Sequence, residues 1–129
     1  MRSYSFKCFT LEDLEFWARA THLVEAIPDT MDKPIRCHEV ARAVGRILDL
    51  PVVDGHYGAV DHSWLMTRTR SNKPKILDVY SVGRLPQVQL LVLDPGTSHT
   101  TIFRPGPYRT DIRNDVVEHM VGFFLVESL

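Results

Sequence analysis

The sequence has few cysteines, almost no net charge and no long hydrophobic run, and each absence excludes a class of protein. Only two of its 129 residues are cysteines, Cys8 and Cys37. Two are too few for a disulfide framework, so we expect reduced thiols. Fifteen Lys and Arg against 16 Asp and Glu give a formal net charge of −1, which provides no general reason to expect a nucleic-acid partner.

The hydrophobic stretches that do occur bear on localisation. The longest fully apolar runs, such as residues 121–126 with one glycine inside, are far too short to cross a bilayer. Acidic residues interrupt the first 17 residues, where a signal peptide needs an unbroken apolar stretch. We therefore expect a cytoplasmic protein with no membrane partner. The sequence assigns no role to Cys8.

The order of the predicted elements indicates an α+β fold in one domain, residues 1–129. Apolar spacing and capping residues predict helices over 11–26, from 35–37 to Pro51, and from Thr110 or Asp111 onwards. Alternating apolar residues and turn signals predict strands over 51–58, 59–69, 75–80, 88–94 and 100–104, with the last two paired as a hairpin. We expect a small antiparallel sheet with the Cys37 helix packed on it and helices at both chain ends.

Cys37, His62 and Asp78 stand in the local settings that a thiol nucleophile and its two helpers need. Cys37 opens a helix, where the helix dipole and free N–H groups favour a thiolate and can hold an oxyanion. The two-residue period of strands puts His62, Trp64 and Met66 on one face, and an antiparallel hairpin brings Asp78 beside His62. The imidazole then serves as base and acid, and the carboxylate fixes its orientation.

The segment that carries these three residues, about a third of the chain, resembles the core of transglutaminase-like proteins in the papain-like cysteine superfamily. In that family a cysteine heads a helix with a small residue four positions on, matched here by Cys37 and Ala41. A His-x-Trp strand matches His62 and Trp64, and an acid-bearing strand matches ILDVY with Asp78. The resemblance implies that Cys37 is the nucleophile, His62 the base and Asp78 the orienting acid. It also implies that Trp64 is a wall of the cleft.

The predicted function is a cysteine-dependent acyl transfer through a thioester, without a metal or organic cofactor. Hydrolysis of an amide bond in a protein or peptide, as a peptidase or amidase, is favoured over cross-linking, because a chain this short offers little surface for two protein substrates. Two alternatives stay open: a non-catalytic papain-like domain that binds a protein partner, and an effector that modifies one host protein. The sequence leaves the oligomeric state open.

Trp64, Tyr80 and His56 are the candidates for substrate binding. Trp64 follows His62 on the same strand face. Tyr80 shares the face of Asp78, where it either covers the site or packs in the core. His56 lies on a strand interrupted by glycines, from which its side chain could line the cleft.

Metal binding and purely structural roles are the competing interpretations. Five residues carry zinc-type ligands: Cys37, His38, His56, His62 and Asp78. No CxxC or HxxxH spacing occurs, and adjacent residues of a helix point about 100° apart, so we expect no metal. A buried cysteine is by itself most often a small hydrophobe.

The polar neighbours of the triad are assigned structural roles. His38 and Glu39 follow the cysteine directly, and we expect them to be solvated or associated with the helix cap, with a role next to the nucleophile as the alternative. Asp61 and Ser63 flank His62 on its strand, and because alternate residues face opposite ways they should point away from it.

Overall fold

The computed structural model describes residues 11–25, 35–68, 72–80, 88–95 and 102–127, and it has the α+β architecture that the sequence predicts. Its elements, in chain order, are α1 Leu11–Glu25, α2 Cys37–Leu48, β1 Val52–Tyr57, β2 Val60–Arg68, β3 Pro74–Tyr80, β4 Val88–Leu93, β5 Phe103–Pro105 and α3 Asn114–Glu127. Cys8 and the predicted cap Thr10 lie outside the described residues. None of the helices in these ranges is long and apolar enough to cross a membrane.

The five strands form one antiparallel sheet in the order β4-β3-β2-β1-β5. The predicted hairpin between β4 and β5 is wrong, because β5 pairs with β1 at the opposite edge of the sheet. The physical reason lies at Gly55, which pairs with Pro105. A Cβ atom at position 55 would lie 2.1 Å from the carbonyl oxygen of Arg104, so only a residue without a side chain lets β5 approach β1 this closely.

The hairpin of β1 and β2 sets which side chains face which side of the sheet. Its turn contains Gly58, whose φ of 62° suits a glycine. The resulting register pairs Asp54 with Ser63 and Gly55 with His62. Because successive residues of a strand point to opposite faces, His62 and Ser63 lie on opposite faces of the sheet.

One face of the sheet packs against α1 and α2, and α3 packs on α2. The buried strand residues on this face are Leu65, Leu77, Val79, Leu90 and Val92. From α2, Val40 and Val44 are fully buried against them. They belong to the stripe of apolar residues by which the sequence predicts this helix. Ile47 and Leu48 complete that stripe and are partly buried against the same core. This packing fixes the start of α2 relative to the sheet.

The other face of the sheet carries a smaller cluster that is rich in aromatic side chains. Its buried members are Trp64, Ile76 and Phe103. His62 alternates with Trp64, and Asp78 alternates with Ile76, so both belong to this face. The imidazole of His62 and the carboxylate of Asp78 therefore lie on a face of the sheet whose other buried side chains are apolar.

The start of α3 differs from the sequence prediction. Thr110 or Asp111 was expected to cap the helix, but α3 begins at Asn114. The Asp111 carboxylate binds Arg36 and Arg109 instead. The segment before α3 is therefore held by contacts that include the start of α2 rather than wound into the helix.

Candidate active site

Cys37 is the first residue of α2 and carries a free thiol with 9% of the residue exposed. The backbone at Arg36 is extended (φ −119°, ψ 154°), and the Arg36 side chain makes no hydrogen bond that caps the helix. First-turn N–H groups of an α-helix have no partner within the helix and form the positive end of its dipole. The sulfur therefore lies where a negative charge is stabilised.

His62 and Asp78 form a buried pair just beyond the paired part of β2 and β3. Nε2 of His62 lies 2.9 Å from Oδ1 of Asp78, and the two residues are 0% and 3% exposed. An ionised carboxylate only accepts hydrogen bonds, so Nε2 carries a proton. Among the described residues, Nδ1 of His62 has no hydrogen-bond partner of ordinary geometry. Nδ1 is therefore the nitrogen of His62 that is available to exchange a proton with Cys37.

The thiol of Cys37 and the imidazole of His62 shift each other's pKa. Burial raises the pKa of Cys37, but hydrogen bonding to His38 and His62 and the charge of both rings lower it to about 6. Burial lowers the pKa of His62, but Asp78 and then Cys37 raise it to about 9. Between these values a thiolate and an imidazolium coexist. At neutral pH these values favour a thiolate beside an imidazolium.

Three aromatic side chains surround the ring of His62. The ring centroids of Tyr57, Trp64 and Phe103 lie 5.9, 6.0 and 6.1 Å from the centroid of His62. Trp64, expected to be a cleft wall, is only 1% exposed, so it contacts the imidazole rather than the solvent. Apolar surroundings strengthen the electrostatic interaction of His62 with Asp78 and Cys37.

Tyr80 lies close enough to Cys37 to respond to its charge. Burial, and then the charge on Cys37, raise the pKa of Tyr80. Its hydroxyl donates to the carbonyl oxygen of Ile35 at 3.1 Å, and its ring is partly buried against the helix-side core. Tyr80 thus packs in the core and also holds the segment that leads into Cys37.

His56 lies on the opposite face of the sheet from His62. Its register partner is Asp61, and its Nε2 lies 3.2 Å from Oδ1 of that residue. The side chain of His56 is 44% exposed. The structure therefore brings together Cys37, His62 and Asp78, and it places His56 at an exposed part of the β1–β2 hairpin.

Comparison with known proteins adds nothing to this geometry. No protein-family model, curated protein or solved structure matches the chain. The resemblance to transglutaminase-like proteins stays a prediction. Any assignment of function must therefore be argued from the residues themselves.

A second set of polar side chains beside Cys37 was missed in the sequence. The ring nitrogens Nδ1 and Nε2 of His38 lie 3.6 and 3.9 Å from the sulfur, and the residue is 6% exposed. Its Nδ1 lies 2.7 Å from Oγ of Ser63, which donates to Oδ1 of Asp54 at 2.6 Å. Both carboxylate oxygens of Asp54 accept from Arg42. The expectation that His38 is solvated or associated with the cap is therefore wrong.

Two signals in the sequence pointed to this set. His38 and Arg42 are four residues apart, so they share one face of α2. Asp54 and Ser63 become cross-strand neighbours once the turn is placed at Gly58. Both signals required knowing that this face of α2 packs on β1 and β2.

Glu39 is buried as well, with no exposed surface. It accepts hydrogen bonds from Arg36 and Arg113, each at 2.8 Å. Burial raises the pKa of Glu39, but these two guanidinium groups lower it to about 2. Solvation of Glu39 is therefore wrong, while its contact with Arg36 is the association with the helix cap that the sequence predicted.

A metal ion has no obvious place among these side chains. In the part of the chain that the structure describes, no group of three or more His, Cys, Asp or Glu residues is arranged to hold one. The carboxylates of Asp54 and Asp78 are engaged by Arg42 and His62. The chemistry available to the site is that of a thiol, two imidazoles and their hydrogen-bond partners.

Proposed function

We propose that this protein is a cysteine-dependent acyl-transfer enzyme that hydrolyses amide or ester bonds. Cys37 is the nucleophile, His62 the acid–base and Asp78 the group that orients the imidazole. The observation that carries the proposal is geometric: a free thiol at the first residue of α2 and a buried imidazole whose Nε2 lies 2.9 Å from the carboxylate of Asp78. The directions of the pKa shifts agree with it, because the pKa of Cys37 is lowered and that of His62 is raised, which favours a thiolate beside a proton donor.

The chemistry follows from the atoms that face one another. The Cys37 thiolate attacks a carbonyl carbon, and first-turn N–H groups of α2 are suitably placed to stabilise the oxyanion. Protonated His62 gives its Nδ1 proton to the leaving amine, which breaks the C–N bond and leaves a thioester. Asp78 keeps Nε2 protonated throughout, so the proton exchanged is the one on Nδ1.

We also propose that α2 and β1 to β3 form a minimal transglutaminase-like core. The order of parts supports this: a helix headed by Cys37, then strands that carry His62 and Asp78. A protein or peptide substrate, and hydrolysis in preference to cross-linking, are part of the same proposal. Because His62 is fully buried and Cys37 is 9% exposed, the sulfur is the more accessible of the two reacting groups.

Alkylation of Cys37 by iodoacetamide tests the proposal, with the rate measured against pH by mass spectrometry. The rate should rise with an inflection near pH 6, instead of near about 8.5 for an ordinary thiol. His62→Ala should move the inflection up and slow alkylation at pH 7 by at least about tenfold. His119→Ala, which removes an exposed histidine on α3, is the matched control and should change neither.

An inflection at the value of a free thiol, unmoved by His62→Ala, would remove the basis for catalysis and leave the non-catalytic binding domain as the better proposal. A second measurement addresses the substrate. Wild type and Cys37→Ala are incubated with a cell lysate and the peptides compared by mass spectrometry. New termini with the wild type alone indicate hydrolysis of peptide bonds, and a Gln-to-Glu change indicates hydrolysis of a side-chain amide.

A further inference from the structure

The polar chain on the helix side of Cys37 holds a second imidazole in a defined orientation. Nδ1 of His38 lies 2.7 Å from Oγ of Ser63, and that hydroxyl donates to Asp54 at 2.6 Å. Arg42 binds Asp54 through two hydrogen bonds, and the backbone N–H of Arg109 donates to the same carboxylate at 3.0 Å. Ser63 and Asp54 are both buried, so this arrangement is shielded from competing water.

The position of each hydrogen in this series of hydrogen bonds can be assigned, starting from Asp54. Burial raises the pKa of Asp54, but Arg42, Ser63 and Arg109 lower it overall, so the carboxylate is ionised and only accepts. Ser63 has a single hydroxyl hydrogen, which it gives to Asp54. The oxygen of Ser63 must therefore accept from Nδ1–H of His38. In the neutral ring, Nε2 is then the nitrogen with a free lone pair.

The sulfur lies within hydrogen-bonding distance of both ring nitrogens, 3.6 Å from Nδ1 and 3.9 Å from Nε2. Once the sulfur carries an acyl group it is uncharged, and Nε2 is then available to another partner. Nδ1 is already committed to Ser63, and in the proposed first half of the reaction the proton is exchanged at Nδ1 of His62. Nε2 of His38 is thus a base within 4 Å of the reactive sulfur that the first half of the reaction does not use.

The surroundings of the two histidines differ. His62 lies among three aromatic rings, whereas His38 is held by polar groups. A water molecule that attacks a thioester on Cys37 must approach a carbon bonded to the sulfur. Nε2 of His38 lies 3.9 Å from that sulfur, close enough to serve a water at the neighbouring carbon.

We propose that His38 is a second catalytic residue, the base that activates the water that hydrolyses the thioester, with Ser63 and Asp54 as positioning residues. This inference rests on the proposed function. Nε2 of His38 takes a proton as the water oxygen bonds to the thioester carbon, and the C–S bond then breaks. The products are a carboxylic acid, the Cys37 thiolate and protonated His38. His38 releases its proton to solvent and Nδ1 of His62 takes one up, which restores the thiolate–imidazolium pair. No oxidant, reductant or cofactor is required.

Burst kinetics with p-nitrophenyl acetate separate the two halves of this reaction. Release of p-nitrophenol in the burst reports acylation of Cys37, and the steady rate that follows reports hydrolysis of the acyl-enzyme. His38→Asn is the informative variant, because the Asn amide places an N–H donor near the position of Nδ1 and keeps the bond to Ser63 while removing Nε2. His119→Asn, on the exposed face of α3, is the matched control.

His38→Asn should keep the amplitude of the burst, although the burst slows because the ring of His38 also lowers the pKa of Cys37. Its steady rate should fall on the order of 100-fold or more, with acetylated Cys37 accumulating in the mass spectrum. Ser63→Ala should act in the same direction, and it tests the inference independently if His38→Asn fails to fold. His62→Ala should slow the burst. A normal steady rate in folded His38→Asn and in Ser63→Ala overturns the role of His38 alone. A wild-type protein without a Cys37-dependent burst overturns the proposed function and this inference together.

Discussion

Asp78 determines the charge that the imidazole of His62 carries at neutral pH. Burial among aromatic rings lowers the pKa of His62, and the carboxylate of Asp78 is the larger of the two influences that reverse this effect. Without it, the ring would be a neutral group in an apolar setting and the Cys37 thiolate would lose its counter-ion. The charge beside the Cys37 sulfur is therefore governed by Asp78, which lies on β3, the strand next to that of His62.

Asp78→Asn should lower the pKa of His62 from about 9 to below its ordinary 6.5, because burial is then opposed only by Cys37. A group whose pKa is raised on folding adds stability below its unfolded pKa, and that stability is lost as the pH rises through its folded pKa. The loss of unfolding free energy in Asp78→Asn should therefore be largest between pH 5 and 6.5 and shrink as the pH passes 9. Urea unfolding at several pH values and an NMR titration of His62 measure both effects.

A loss of stability in Asp78→Asn that is the same at pH 6 and pH 10 would show that the carboxylate does not stabilise an imidazolium. Asp61→Asn is the control. Asp61 flanks His62 on β2, but its side chain is 61% exposed and contacts His56, so this change should leave the pKa of His62 unaltered.

The positions of Cys37, His62 and Asp78 in the fold were predictable because their settings are local. A helix start can be read around Cys37, and a two-residue period places His62 and Asp78 on one face. His38 was not predictable in the same way. Its burial depends on Ser63, 25 residues further along the chain, and on the packing of α2 over β1 and β2, which no local pattern reports.

Among the elements, β5 depends most on one position in another strand. Gly55→Ala would place a Cβ atom 2.1 Å from the Arg104 carbonyl oxygen, so β5 must move away from β1. We expect a loss of about 1–3 kcal/mol of unfolding free energy, as for overpacked sites. Amide exchange should also speed up at Gly58 and Gly106, whose N–H groups donate between these two segments.

Gly122→Ala is the matched control for this change. A Cβ atom at position 122, on the exposed side of α3, meets no atom within 4 Å. Replacing an exposed helical glycine by alanine should stabilise the protein by roughly 0.5–1 kcal/mol. Unchanged amide exchange at Gly58 and Gly106 in Gly55→Ala would show that the pairing of β5 with β1 does not depend on a glycine at position 55.

The elements themselves were largely predictable, whereas the partner of β5 was not. Apolar periods and turn residues located three helices and five strands, because these patterns act within a few residues. The pairing of β5 depends on Gly55, which in the sequence indicates only a turn or bulge. Adjacent strands usually pair along the chain, and that general tendency predicts the wrong neighbour here.

At the scale of the whole molecule, Glu39 joins α2 to the segment before α3. It is buried, and Arg36 and Arg113 bind it from separate parts of the chain. Glu39→Gln leaves two guanidinium groups without their carboxylate, so we expect a loss of about 3 kcal/mol at pH 7. Glu118→Gln, which breaks an exposed pair with Arg46, should change the unfolding free energy by less than about 1 kcal/mol.

The pH dependence of this loss has a defined sign. The pKa of Glu39 is about 2 in the folded protein against an ordinary 4.5, so the stability it adds is present above pH 4.5 and is lost as the pH falls through 2. Urea midpoints of wild type and Glu39→Gln should therefore converge in acid. Midpoints that stay equally far apart at pH 7 and at pH 2.5 would show that Glu39→Gln destabilises the protein through altered packing and not through loss of the charge.

Three contacts that complete the site come from residues 103–113. Phe103 lies against His62, the backbone of Arg109 donates to Asp54, and Arg113 binds Glu39 beside Cys37. A ribosome makes these residues long after it has made Cys37. The growing polypeptide therefore carries its sulfur without its finished surroundings until residues 103–113 have been made.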